Sequence, residues 1–440
     1  MIGYKLDIRI LNSDNQRNPK STTRILARSM TGASALRSVS GTFTLVSLAG
    51  WLVTCGVMAD DWRQFRGPQG AAVSEDLGLP ATLDAQKNVL WKAPLVGRGI
   101  SSPIIVGDRV FITCSSGTQN ERLHVICFNL SDGSQRWTRQ FWATGRTTVH
   151  EKISVAAPTP TSDGKRVFAL FSSNDLVCLD LDGNLIWLRG LTLDYPNASN
   201  SLGLSASPVT AGDILITQVE TDSEAFVAGI DVATGINRWK IDRARHADWT
   251  SPMLQEGRDG KPVVILQSSS GVTAIDPATG STAWNWVSAT STIPSGAVRG
   301  QNLYVISGGI TALQPDPAGQ SPHELWRSNL LRANISSPVL WDDGIFTVND
   351  AGVLTRGKLA DGSRAWQLRL KGPFTASPVA DAHHLYLVNE AGLLQVVDPA
   401  KPEGEVVSEL DLGETILATP SIAGRALYVR SDAHLWKIGK

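Results

Sequence analysis

Polar side chains suited to recognition are gathered in three long stretches, Phe141 to Pro160, Gly190 to Pro208 and Asp242 to Pro252. The first carries Arg146, His150 and Lys152, the second Asp194, Tyr195 and Asn197, the third Arg245, His246, Asp248 and Trp249. Histidine can shuttle protons or hold a metal, Arg and Lys bind anions, and Tyr and Trp offer a flat apolar face with a polar tip. Each also has a plainer use: the histidines as loop hydrogen-bonders, Trp249 as packing, Asn197 as a turn cap. Their spacing matches no catalytic pattern. No Gly-x-Ser-x-Gly elbow, His-Glu-x-x-His helix or phosphate loop occurs. The stretch CLDLDG puts Cys178 at the first ligand position of a calcium loop and Arg189 where a bidentate Glu belongs, so it reads as a hairpin turn. Taken together, the ten side chains fit recognition better than catalysis.

What holds them in place is a repeat. "TAIDPATGSTAWNW" (Thr273 to Trp286) has relatives in "VAGIDVATGINRWK", "CLDLDGNLIW" and "CFNLSDGSQRW". In the full template a Ser/Thr-Pro start leads into an apolar strand, a Gly-Asp-like turn, two further strands, a turn opened by Asp, and a fourth strand carrying Trp. The starts fall at Pro103, Pro158, Pro208, Pro252, Gly296, Pro338, Pro378 and Pro420, which makes eight units of 40 to 55 residues. Four short strands per unit at this period predict an all-β, eight-bladed β-propeller. Trp137, Trp187, Trp239, Trp284, Trp326 and Trp366 fall on the outermost strands, where a large flat ring suits packing between sheets. The last unit has only three strands, whereas Asn88 to Leu95, with Trp91, reads as a lone fourth strand. The N-terminal strand is therefore expected to complete the final blade and remove the exposed edges.

The 440 residues are 42% hydrophobic with a net charge of −1, which excludes a nucleic-acid binder of the basic kind. Residues 1 to 59 stand apart. "TFTLVSLAGWLVTCGVMA" (Thr42 to Ala59), behind Arg24, Arg28 and Arg37, reads as a secretory signal peptide, with 1 to 29 upstream of an alternative start at Met30. An uncleaved anchor and lipidation at Cys55 are its other readings. Residues 60 to 87 are expected to be an arm packed on the propeller of residues 88 to 440, or alternatively a partner-binding arm, with Trp62 and Phe65 as anchors. Three cysteines remain after cleavage, Cys114, Cys127 and Cys178, read as free core thiols, with a Cys114 to Cys127 disulfide as the other possibility.

The template resembles the pyrroloquinoline-quinone (PQQ)-like propeller repeat, "SSPvv-gdrvyv…lyalDa-tGk-lW", over about 350 residues, and "DWRQFRGPQG" (Asp61 to Gly70) is similar to exported bacterial members. The resemblance implies one of two functions: a scaffold like the propeller of the outer-membrane β-barrel assembly machinery, or a quinoprotein dehydrogenase holding PQQ and calcium on the propeller axis. The chain has no adjacent cysteine pair and little length outside the blades. A non-catalytic, periplasmic scaffold is therefore expected, with no cofactor. Its partner is expected to be an envelope protein or small ligand on the face carrying the long early loops, with no nucleic acid and no membrane span after cleavage. A small PQQ-dependent dehydrogenase is the alternative.

Overall fold

The computed structural model describes residues 61–75, 78–199, 202–257 and 260–440. The signal-peptide reading falls outside them. The described residues belong to one unit built of eight four-stranded antiparallel sheets, the predicted eight-bladed propeller. The innermost strands are Ile104–Val106, Thr161–Ser162, Val209–Ala211, Met253–Glu256, Ala297–Arg299, Val339–Trp341, Val379–Ala380 and Ser421–Ala423. These name blades 1 to 8. In blades 1 to 7 the strands pair in chain order. In blade 8 the outermost place is filled by Val89–Pro94, antiparallel to His434–Gly439, with Trp91 opposite Lys437 and Pro94 opposite His434. The two ends of the propeller therefore close on each other as the repeat implied.

Successive blades are joined by two devices that the repeat encodes. The outer one is Trp on glycine. Trp91, Trp137, Trp187, Trp239 and Trp326 each donate the indole N–H to a carbonyl of the next blade (Leu130, Leu181, Val232, Pro277 and Leu359) at 2.9 to 3.2 Å. Each ring lies on the glycine of that blade's third hairpin turn. Gly235, for example, has φ of 72°, and a Cβ there would sit 2.7 Å from the Trp187 ring. Glycine is thus required twice, by backbone conformation and by contact. Gly235→Ala is expected to cost about 2–3 kcal/mol by adding overpacking to left-handed strain. Gly212→Ala, at φ of 62° with nothing within 4 Å, should show the strain alone. Denaturant midpoints of the two variants measure the difference, and equal losses would remove the ring contact from the account.

The inner device is a circle of hydroxyls. Each inner strand is preceded by a buried Ser or Thr: Ser102, Thr159, Ser207, Ser251, Ser295, Ser337, Ser377 and Thr419. The backbone N–H of each of the first seven donates to the hydroxyl oxygen of the next, at 2.9 to 3.0 Å. At the closing joint, Ser421 Oγ donates instead to the Pro103 carbonyl at 2.6 Å. This circle corrects the second repeat boundary. The hydroxyl in register is Thr159, so Pro160 rather than Pro158 starts blade 2; the doubled Ala-Pro-Thr-Pro offered two phases, and only one supplies an acceptor.

Blade 7 lacks the outer Trp, and its outermost strand, Glu405–Asp411, is covered differently. Leu83 N–H donates to Ser408 Oγ at 2.8 Å, and Leu79 and Leu83 are buried in the same apolar cluster as Leu410 and Ile438. The three described cysteines are free and buried. Cys114 faces His124 and Cys127 faces Phe111, so they are not cross-strand partners and the disulfide alternative is excluded. Burial pushes the Cys127 and Cys178 thiols up to about 12, which leaves them unreactive.

Candidate functional site

A chamber of about 330 Å3 lies on the propeller axis. Its inner wall is the circle of eight hydroxyls. Above it, the residue two positions before each hydroxyl forms a second tier: Ile100, Ala157, Ser205, Trp249, Ile293, Ile335, Thr375 and Leu417. This tier is mostly apolar. The Trp249 indole N–H is bonded to the Gly203 carbonyl at 2.7 Å, so the ring serves as wall.

The far end is closed by the segment around "DWRQFRG". Trp62 exchanges both backbone hydrogen bonds with Ile105, Ser162 N–H reaches the Arg63 carbonyl, and Ala72 and Ser74 bond to Ala380. The segment thus crosses the axis from blades 1 and 2 to blade 7. Phe65 lines the chamber as its floor. Beneath it the fully buried Arg66 guanidinium donates to the carbonyls of Gly296 and Pro338, and burial alone pulls it down to about 10. Gly296 stands where the other units carry Pro, and a Cβ there would sit 2.8 Å from the Tyr304 carbonyl, so this position has no room for a side chain.

The long early loops surround the other end. His150 and Lys152 reach the chamber mouth with Trp249. The His150 backbone N–H donates to the Leu202 carbonyl at 3.1 Å, and Lys152 Nζ lies 3.0 and 3.1 Å from the two Glu390 oxygens in blade 7. The loop between blades 1 and 2 is thereby strapped to blade 7. Asn197 and Arg245 line a separate cleft with Lys240 and Arg243. Tyr195 packs against Phe226 with its ring tilted, 4.4 Å between centroids, and its hydroxyl accepts from Asn237 Nδ2. Asp194 pairs with Arg189 at 2.5 Å, Arg146 is exposed, and His246 Nδ1 meets the Ala247 carbonyl at 2.9 Å.

Asp248 is different. It is 1% exposed, and its Oδ1 accepts from the Thr250 N–H. Burial, with the neighbouring Glu220 carboxylate second, pushes it up to about 8. Glu220 is also raised by burial, against the Arg243 guanidinium 2.8 Å away. This pair fastens the third long loop from inside.

Sequence reading missed the chamber tiers apart from Trp249, and took Phe65 for an anchor of the arm without its place as the chamber floor. Their signal is one column of the repeat, two places before each Ser/Thr, legible only once the phase of blade 2 is right.

An eight-bladed propeller with an apolar axial chamber, plugged at one end and ringed by long loops at the other, defines the class. A family model described as "Outer membrane protein assembly factor BamB" matches residues 70–285, 197–368 and 307–411, most of the chain, and the chain belongs to that family. A search of curated proteins finds no match. Among solved structures, BamB from Moraxella catarrhalis is similar with a TM-score of 0.57 and 16% identity, covering 79% of this chain and 96% of that one. Quinohemoprotein alcohol dehydrogenase from Comamonas testosteroni gives 0.61 and 12%, covering 86% and 80%. A europium-containing methanol dehydrogenase gives 0.54 and 11%, covering 87% and 98%. At these identities the likeness is one of fold.

The chamber's residues do not fit PQQ and calcium. A tricarboxylate needs cations, and the one that lines this wall, Lys152, is already held by Glu390. Calcium needs clustered oxygen ligands, and among the described residues no group of three or more His, Cys, Asp or Glu could hold a metal.

Proposed function

We propose that the protein is an exported, non-catalytic propeller that acts as a protein- or ligand-binding scaffold in the cell envelope, using the face that carries the long early loops. The reading rests chiefly on asymmetry. Connections such as Lys371 to Pro378 are minimal, while those of blades 1 to 3 are long, polar and gathered at one chamber mouth. Extra loop length costs little stability, and long ordered loops on a rigid scaffold are where recognition concentrates. The family's description as an assembly factor supports a binding role and an envelope location. Among the described residues no helix is long and apolar enough to cross a membrane.

Replacing Arg146, His150, Asp194 and Arg245 together with Ala should leave the melting temperature nearly unchanged, since exposed loop substitutions cost under about 0.5 kcal/mol each. The variant should fail to capture the partner that the tagged wild type retrieves from its native envelope. Lys165→Ala with Arg299→Ala, on the plugged face, is the control. Equal loss from both sets would move the binding surface elsewhere.

A further inference from the structure

The chamber has a chemical character beyond being a hole. Its eight hydroxyls are 1 to 6% exposed, and the oxygens of all but Ser102 accept a backbone N–H from the preceding unit. Among the described residues none of the eight O–H groups donates to a protein acceptor. They form a ring of buried donors facing the axis.

Outside that ring the wall is Ile100, Trp249, Ile293, Ile335 and Leu417, with Phe65 as floor. Ile293 at the mouth is 46% exposed, apolar surface with nothing over it. The permanently charged side chain of the wall, Lys152, is paired with Glu390, and His150 Nδ1 accepts the Lys152 backbone N–H. A charged guest would therefore lose hydration without gaining a counter-ion. Apolar lining with a few convergent polar groups and a volume near 300 Å3 is the usual form of a small-molecule site.

We propose that the axial chamber binds a small uncharged molecule with an apolar, ring-sized body and a hydrogen-bond acceptor, such as a ketone oxygen, at its inner end. The body packs against Trp249, Ile293, Ile335 and Leu417, and the acceptor meets the hydroxyl ring above Phe65. This gives a ligand class to the binding role proposed above and rests on it for the choice of face.

The test uses 6-propionyl-2-(dimethylamino)naphthalene, a neutral aromatic ketone whose emission moves to shorter wavelength on leaving water. Titrated into the full chain, it should bind at one saturable site with blue-shifted emission. Ile293→Asp, at a position exposed enough to spare the fold, should weaken binding at least tenfold, and Trp249→Ala should weaken it also. 2-Naphthoate, which is anionic, and N,N-dimethyl-2-naphthylamine, which lacks the ketone, should both displace it poorly. No saturable shift, or binding indifferent to Ile293→Asp, would overturn the site. Displacement by the naphthoate as effective as by the ketone would overturn the uncharged class, and equal displacement by the amine would overturn the acceptor. Partner capture by the loop face is measured separately, so an empty chamber with capture intact would sink this inference alone.

Discussion

A chain that begins at Val96 will melt far below one that begins at Asn88, and it will aggregate on concentration. The six residues Val89–Pro94 form the outer strand of blade 8. Without them His434–Gly439 becomes an open edge whose N–H and C=O groups can pair with another chain. Trp91, 9% exposed and lying on Gly133 of blade 1, is lost as well, so the blade 8 to blade 1 joint loses its outer device. Removing a single buried aromatic costs about 3–5 kcal/mol, and here a strand goes with it. The shorter deletion has its own cost, since it uncovers the axial end where Trp62 and Arg66 are buried, but it leaves every sheet complete. Thermal melts with light scattering decide the matter. If both chains behave alike, closure by this strand is not what holds the ring.

The second large effect concerns pH. Asp248 ionises near 8 in the folded protein, against about 3.9 in an unfolded chain. Between those values the folded state holds a proton that the unfolded state has released. Stability is therefore fully present below about pH 4 and falls as pH rises toward 8, by up to about 1.4 kcal/mol per pH unit. Asp248→Asn keeps an acceptor for the Thr250 N–H and removes the ionisation. Melting temperature measured from pH 5 to 9 should fall steadily for the wild type and stay flatter for the variant, which should be the more stable at pH 9. Parallel curves would show that Asp248 is not the group responsible.

Much of the architecture was legible because a propeller repeats its local signals. The Asp-opened turn ending in glycine, the Trp four residues after that glycine in blades 1 to 4 and 6, and the lone strand at Asn88 to Leu95 are short-range features. Each appears in the sequence beside the residues it serves. The chamber was not legible in the same way. Each tier of its wall takes one residue from each repeat, so neighbours such as Trp249 and Ile293 are a whole repeat apart, and nothing local marks Phe65 as their floor. Asp248 shows the converse difficulty. Set in the polar stretch DRARHADWTSP it looks like a solvent-facing loop acid, yet a bridge to Glu220 turns it inward. The loop's polarity says where the backbone runs, not which way one side chain points.

The hydroxyl circle has a consequence for how such a molecule can change over generations. Blades 1 to 7 each give an N–H to the next, and a blade 8 hydroxyl closes onto blade 1, the head-to-tail relation that makes identical subunits close into a ring when their rotation permits. Within one chain the same rule makes blade number a collective property. Adding or losing a repeat would re-angle every joint at once, whereas lengthening a connection at the rim disturbs none. Variation is therefore channelled into the loops around the chamber mouth, and divergence among relatives should accumulate there as insertions while the eightfold count stays fixed.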